Sequence, residues 1–449
     1  MNSESISVIV IGGGIAGTAT AMYLAQANVN VVCIEANDEI AQETSFMNGS
    51  LACTSLTQPW CSRSNLTGFL AQVFKPSPAD GSIVVKWSEV CNDVEFWKWV
   101  INFTCSALSQ KTYKELFISS YRLSTYSLKC MEEFESAPGW VSQDSLYKFK
   151  GLAKGTIQLF PSFEEQSRQY LALSPVVSKL QLISANAVSE LDPVLNQPEL
   201  FPGGAIVSLA DRSYNIHNLC VAMKRNAVKH GAKFITNQRV TKLVQRNKST
   251  VDHVVLEDGG TLPADVVVVA TGNHSNGFAE WAGDGWHSWP VRGFALEVPI
   301  AENSKDVGER VDDPRRIYIA PITPGKVRLS GFCELGARYP DKTKSVDFSP
   351  AGLLLKQARQ LLPSGYLVDS QDPGIIRHTC WRPQTPDDLP VVGRSGKYAN
   401  LYYNTGHGHL GLTRAVGSAK LLSELIMHGE VAPGTGLDMD DYRPDRFGV

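Results

Sequence analysis

Gly12, Gly14 and Gly17 are spaced two and three residues apart in the run Val8-Ile9-Val10-Ile11-Gly12-Gly13-Gly14-Ile15-Ala16-Gly17, and Glu35 follows eighteen residues after the last of them. This arrangement suits a pyrophosphate. Gly12 permits a tight turn, Gly14 lets the backbone approach the phosphates, and Gly17 lets a helix pack close to a strand. The amides of Ile15 and Ala16, at the start of that helix, then face the anion. Glu35 would accept hydrogen bonds from ribose hydroxyls and repel a 2′-phosphate, which favours FAD or NAD over NADP. A second group of chemically marked residues lies far along the chain: Cys380 and Arg382 in Cys-Trp-Arg-Pro-Gln-Thr-Pro-Asp, then His407 and His409 in Gly406-His407-Gly408-His409-Leu410-Gly411. A guanidinium grips a carboxylate bidentately and keeps its charge in a partly dry pocket, so Arg382 is the candidate anchor for an anionic substrate. The two imidazoles are candidate acid/base groups.

The elements that must position these residues follow from periodicity. A β-branched strand leads into the glycine turn, an Ala-rich helix follows it, and a second strand ends at Glu35. The polar loop 43–50 (ETSFMNGS) stands where another helix could begin, and suits backbone contact with a ligand. Residues 92–137 carry Trp, Phe, Tyr and Leu at helical spacing, which predicts helices of a covering domain, while 146–160 is patterned as two strands. An amphipathic helix over 216–232 ends in His230-Gly231, strands follow at 233–236 and 240–244, and Asp258-Gly259-Gly260 marks a hairpin. The run 265–270 ends in Thr271-Gly272, a glycine at the carboxyl end of a buried strand, where open α/β sheets bind ligands. Strand-like patterning returns over 287–333, residues 351–362 are helical, and an Ala/Leu-rich helix over 412–427 closes the chain. The two segments of one nucleotide domain are thus about 200 residues apart, so the domains interleave.

With 449 residues, 43% of them hydrophobic and 19% charged, and a net charge of −3, the composition is that of a globular protein with a large core. Basic residues form no stripe, which argues against a nucleic-acid surface. The first strand begins near Ile6, which leaves no room for a signal peptide and points to a cytoplasmic protein; no apolar run approaches the roughly eighteen residues a membrane span needs. Peripheral contact with a membrane stays open. The nine cysteines show neither a CxxC pair nor a Cys/His metal pattern, so reduced thiols and no metal site are expected.

Taken together, GGGIAG, the ETSFMNGS loop, KGTIQLF, VVVVATGNHS, Trp289-Pro290-Val291-Arg292-Gly293, WRPQTPDDLPVVGR and NTGHGHLG resemble the D-amino acid oxidase superfamily of FAD-dependent amine oxidoreductases over nearly the whole length, and within it the small subunit of D-amino acid dehydrogenase. The resemblance implies an α/β (α+β) fold: a glutathione-reductase-type Rossmann FAD domain (1–58, 195–285 and 375–449) interleaved with a substrate domain on a mixed, largely antiparallel sheet (59–194 and 286–374). It also implies hydride transfer from Cα to flavin N5, followed by hydrolysis of the imine to a 2-oxo acid and ammonia. Arg382 falls where the family places its substrate-carboxylate arginine. Thr44, Ser45, Asn48 and Gly49 would meet the pyrophosphate or ribityl chain, Val240 the adenine, and Thr271, Gly272, Gly406, Gly408, Leu410 and Gly411 the rest of the cofactor. Tyr318 and Tyr121 are candidate pocket hydroxyls. Arg292 stands where the bacterial dehydrogenases have lysine. Cys380 replaces their glycine, and a cysteine at the matching place in sarcosine oxidase-like enzymes bonds to the flavin; a small buried thiol beside the ring is the preferred alternative.

The expected substrate is an amino acid, foremost a D-amino acid, with electrons leaving to oxygen or to a quinone or other carrier. Two alternatives stand beside it: oxidation of a secondary amine such as sarcosine, proline, hydroxyproline or a specialised-metabolite amine, and a non-catalytic flavin-binding electron-transfer subunit with no amine site of its own.

Overall fold

The computed structural model describes residues 6–74, 83–137, 155–302, 304, 310–312, 317–338 and 346–447. The strand Ser7–Ile11 is wholly apolar after its first residue and pairs in parallel with Asn30–Ile34 on one side and Val266–Val269 on the other. The six-stranded sheet continues through Leu401–Thr405 to Val391–Arg394 at one edge and ends at Lys233–Ile235 at the other. In register, Ile11 stands beside both Ile34 and Val269, so the turn at Gly12, the acid at Glu35 and the run from Ala270 to Gly272 emerge together at the carboxyl ends of the strands.

The helix Ile15–Gln26 buries ten of its twelve residues. Its small side chains are the reason: Ala19, Ala21 and Ala25 let it lie between the sheet and the helices Ile216–Lys229 and Gly411–His428. A Cβ at Gly17 would overlap the Gly12 carbonyl, so the helix and turn can meet only as glycine. The helix Gln110–Ser136 packs on Gly411–His428, where a Cβ on Gly417 would come within 2.7 Å of the Ser127 backbone, and it shares one hydrophobic core with the nucleotide sheet through Leu123, Leu128, Met131 and Phe134.

The second sheet is mixed and has nine strands. Its order runs Ile376–Gln384, Trp289–Pro299, Lys326–Leu335, Ile317–Thr323, Arg310–Asp312, Thr156–Leu159, Ala205–Ser208 and Leu180–Ile183, with Ile83–Val85 added beside Lys326–Leu335. Most pairs are antiparallel; Arg310–Asp312 with Thr156–Leu159 and Lys326–Leu335 with Ile83–Val85 are parallel. The helix Ser349–Leu361 covers one face. Of the stretch expected as two strands at 146–160, Thr156–Leu159 is a strand and 138–154 lie outside the described residues. No described helix is long and apolar enough to cross a membrane.

Candidate active site

Two cavities meet at the Ile15 end of the first helix. The nucleotide cavity, about 190 Å³, is bounded by Gly12, Gly14, Ile15, Ala16, Glu35, Val240, Thr271 and Gly272. Glu35 is buried there, accepting from the Gly13 amide at 2.7 Å and from Asn37. Gly14 caps the helix with no side-chain bond, and the first turn holds no acid. The Ile15 amide meets Ser45 Oγ at 3.0 Å. A glycine-lined helix N-terminus open to a cavity and backed by a ribose-type acid fits the adenosine pyrophosphate of a dinucleotide.

The larger cavity, about 340 Å³, shares Ile15, Thr44, Ser45, Gly408 and Gly411 with the first and runs on past Asn48, Gly49, Leu410 and Cys380 to Tyr318, His409 and Arg382. All of the sequence set except Gly17 and Gly406, which line neither cavity, is therefore gathered along one slot. Gly406 and Gly408 take positive φ (+73° and +56°), and a Cβ on Gly408 would lie 2.6 Å from Gln384 Oε1, so the loop can run beside the slot only as glycine. Asn48 supports its own loop by accepting from the Ser50 amide, and Ser50 Oγ accepts from the fully buried Arg328, which is paired with Glu297.

Arg382 stands on the strand Ile376–Gln384, opposite Val291; Cys380, two residues before it, faces the same side, opposite Gly293. The absence of a Cβ at Gly293 leaves room for the guanidinium, which a side chain there would displace. A register shift in the neighbouring strand, with Phe332 at φ +56°, turns the Phe332 carbonyl to accept from Arg382 Nη1 at 2.9 Å. The guanidinium also lies 5.8 Å from the Trp60 ring centroid, and no carboxylate pairs with it among the described residues.

The two histidines separate sharply. His407 is buried, with Nε2 on Ser418 Oγ at 2.8 Å, and burial followed by nearby Arg414 pulls it down to about 3. The ring is thus held neutral, and it lines the nucleotide cavity rather than the larger one that holds Arg382. His409 stacks on Trp60, with ring centroids 4.6 Å apart and planes at 17°, and lines the larger cavity. Its Nδ1 lies 3.6 Å from the Asp388 carboxylate. Burial lowers its pKa, Asp388 opposes that, and Arg414 and Arg382 add to the lowering. Burial would raise the Asp388 carboxyl, but His409, Arg414 and the Gln384 amide outweigh it and hold it low. Asp388 itself takes φ +64°, a strained conformation of the kind found at functional sites.

The other expectations divide in the same way. Thr44 Oγ1 donates to the Trp381 carbonyl at 2.8 Å and accepts from its amide at 3.1 Å, so it ties the loop to the strand of Arg382. Arg292 is taken up by Glu334 on the adjacent strand and supports the sheet. Tyr121 bonds Ser178, away from both cavities. Residues that sequence reasoning did not single out are Trp60, Tyr113 and Cys333, which carry no local signal, and Gln158 and Asp388, which sit inside the KGTIQLF and WRPQTPDDLPVVGR motifs but were given no role.

A family model described as "DAO: FAD dependent oxidoreductase" matches residues 7–425. The chain belongs to this family. As an FAD-dependent oxidoreductase it is 27% identical over 458 residues to a D-amino acid dehydrogenase of Neisseria meningitidis, an alignment covering 98% of this chain and all of the relative. In fold it is similar to an L-proline dehydrogenase from P. horikoshii (TM-score 0.71, 17% identity, 99% and 98% coverage) and to a glycine oxidase from Geobacillus kaustophilus (TM-score 0.71, 17% identity, 98% and 99% coverage). FAD, when bound, supplies a two-electron acceptor. The residues that would hold it are those of the slot: Gly12 to Gly17 and Glu35 at the adenosine end, and Ser45, Asn48, Gly408 and Gly411 toward the ring.

Proposed function

We propose that this oxidoreductase oxidises the Cα–N bond of an amino acid, with a D-amino acid as its substrate, giving an imine that water converts to a 2-oxo acid and ammonia. The observation that carries this reading is the Arg382 guanidinium: it lines the cavity next to the flavin-side residues and lacks a carboxylate of its own among the described residues. A cation so placed favours a substrate carboxylate and thereby fixes where Cα lies. The D configuration is supported by the relatives at full length, named D-amino acid dehydrogenase.

In this reading His409 is the group that takes a proton from the substrate ammonium. Nδ1 faces Asp388, which leaves Nε2 for the cavity, and the lowered pKa keeps the ring neutral and able to accept. Cys380 is a small wall of the cavity. The test is anaerobic bleaching of the bound flavin by D-, L- and N-alkyl amino acids, with reoxidation by oxygen or a quinone-type dye. Bleaching by D-amino acids alone is expected; bleaching confined to N-alkyl amino acids would overturn the reading. Acid precipitation of the same preparation should leave the yellow colour in the supernatant, whereas colour in the pellet would make Cys380 a tether.

A further inference from the structure

Beside Arg382 lies a second, smaller cavity of about 30 Å³, whose wall is apolar almost throughout. Trp60, Asn65 and Cys333 line both it and the larger cavity, and so form the boundary between them. Its far side is Trp99, Phe103 and Val100 on the helix Val94–Leu108. The wall is built rigidly. Trp99 donates its indole N–H outward to the Gln384 carbonyl at 2.8 Å and stacks on Phe103 at 5.1 Å. Asn65 Nδ2 donates to the Trp60 carbonyl at 3.0 Å, holding the residue that Arg382 and His409 both touch. Arg382 Nη1 is 3.7 Å from Cys333 Sγ, so a substrate gripped by that arginine lies against the wall that the two cavities share.

We infer that this cavity receives the end of the substrate's side chain, and that the substrate is an amino acid with a medium-sized apolar side chain of the length of leucine or methionine. The inference rests on the amino-acid reading above. An apolar cavity without polar partners gains nothing from water and takes apolar groups. Its size selects among them: one water-sized group needs about 10–15 Å³ of such space, so about two or three carbons fit, more than alanine offers and fewer than an indole needs. Each methylene buried there is worth about fourfold in kcat/KM.

The test is a rate series with alanine, norvaline, leucine, methionine and tryptophan of both configurations, on the wild-type holoenzyme and on Val100→Phe, which fills the cavity from a partly exposed position; Leu66→Phe is a second variant in case the first folds poorly. Leucine and methionine should exceed alanine by at least about tenfold. Val100→Phe should lower their kcat/KM about tenfold while alanine changes by less than about threefold, at unchanged flavin content. A flat series, a preference for tryptophan, or a loss shared equally by alanine would overturn the inference and leave the amino-acid reading standing. No bleaching by any amino acid would sink both.

Discussion

The two ends of the slot are built on opposite principles. At the adenosine end, the phosphate- and ribose-facing groups come from 24 consecutive residues, Gly12 to Glu35, joined by Val240 and Thr271-Gly272, and their geometry is set by backbone: a turn, a helix start and the ends of parallel strands. At the substrate end, Arg382, His409, Trp60, Tyr318 and Gln158 come from five segments and are set by side-chain contacts, with Arg382 and His409 both resting on Trp60. Backbone-built sites tolerate almost no added atom. Side-chain-built sites tolerate substitution in fold but lose chemistry.

The strongest test of that difference is Gly17→Leu. A side chain here overlaps the Gly12 carbonyl, so helix and turn must separate and the phosphate-facing amides move with them. Flavin content of the purified protein should fall below about a tenth of wild type, an effect of more than about 1.4 kcal/mol on binding. Retention of full flavin content would show that the adenosine end is not backbone-limited. At the other end, Arg382→Ala should leave flavin content unchanged and lower kcat/KM for flavin reduction by about two to three orders of magnitude, because a charge-assisted bidentate grip is lost. Loss of flavin in that variant would erase the contrast.

The histidines carry the comparison into pH. Replacing His409 by Asn should lower kcat/KM about 10–100-fold near neutrality and remove its acid limb, since the proposed proton acceptor is gone. The same change at His407 should leave the shape of that profile alone and alter stability instead. With His407 held at about 3 in the fold against an ordinary 6.5, the unfolded chain binds more protons between those values. Stability is therefore full above pH 6.5 and drains as pH falls toward 3. In His407→Asn that slope disappears from melting temperatures measured across this window, so two residues of one short loop separate by readout.

This contrast also explains what the sequence could disclose. The glycine turn, Glu35 and Thr271-Gly272 were legible because each reports a local backbone need, and their strands pair in one sheet. Arg382 was legible as a residue type suited to carboxylates in a Pro-bounded run. Trp60 and Tyr113 were not, because nothing near them in the chain says that the sheet and the loops will bring them to the cavity of Arg382. His407 and His409 look equivalent in Gly-His-Gly-His-Leu-Gly; only packing shows one held on Ser418 at the nucleotide cavity and the other stacked on Trp60 in the larger one.

Thr44 offers the smallest effect and the sharpest question, because it touches both ends. Its motif predicts a hydroxyl turned to the cofactor, yet the hydroxyl makes two bonds to the Trp381 backbone, one residue before Arg382. Thr44→Val keeps the shape and removes both bonds. The Trp381 carbonyl retains Asn273 Nδ2 at 3.0 Å, so the loss falls mainly on its amide and should cost about 1–2 kcal/mol, lowering the melting temperature by about 2–4 °C. If Thr44 acts as a strut for the arginine strand, KM for the amino acid rises about threefold while flavin content holds, and Thr44→Ser restores both bonds and the wild-type KM. A drop in flavin content with KM unchanged would move Thr44 to the cofactor side and blur the division between the two ends.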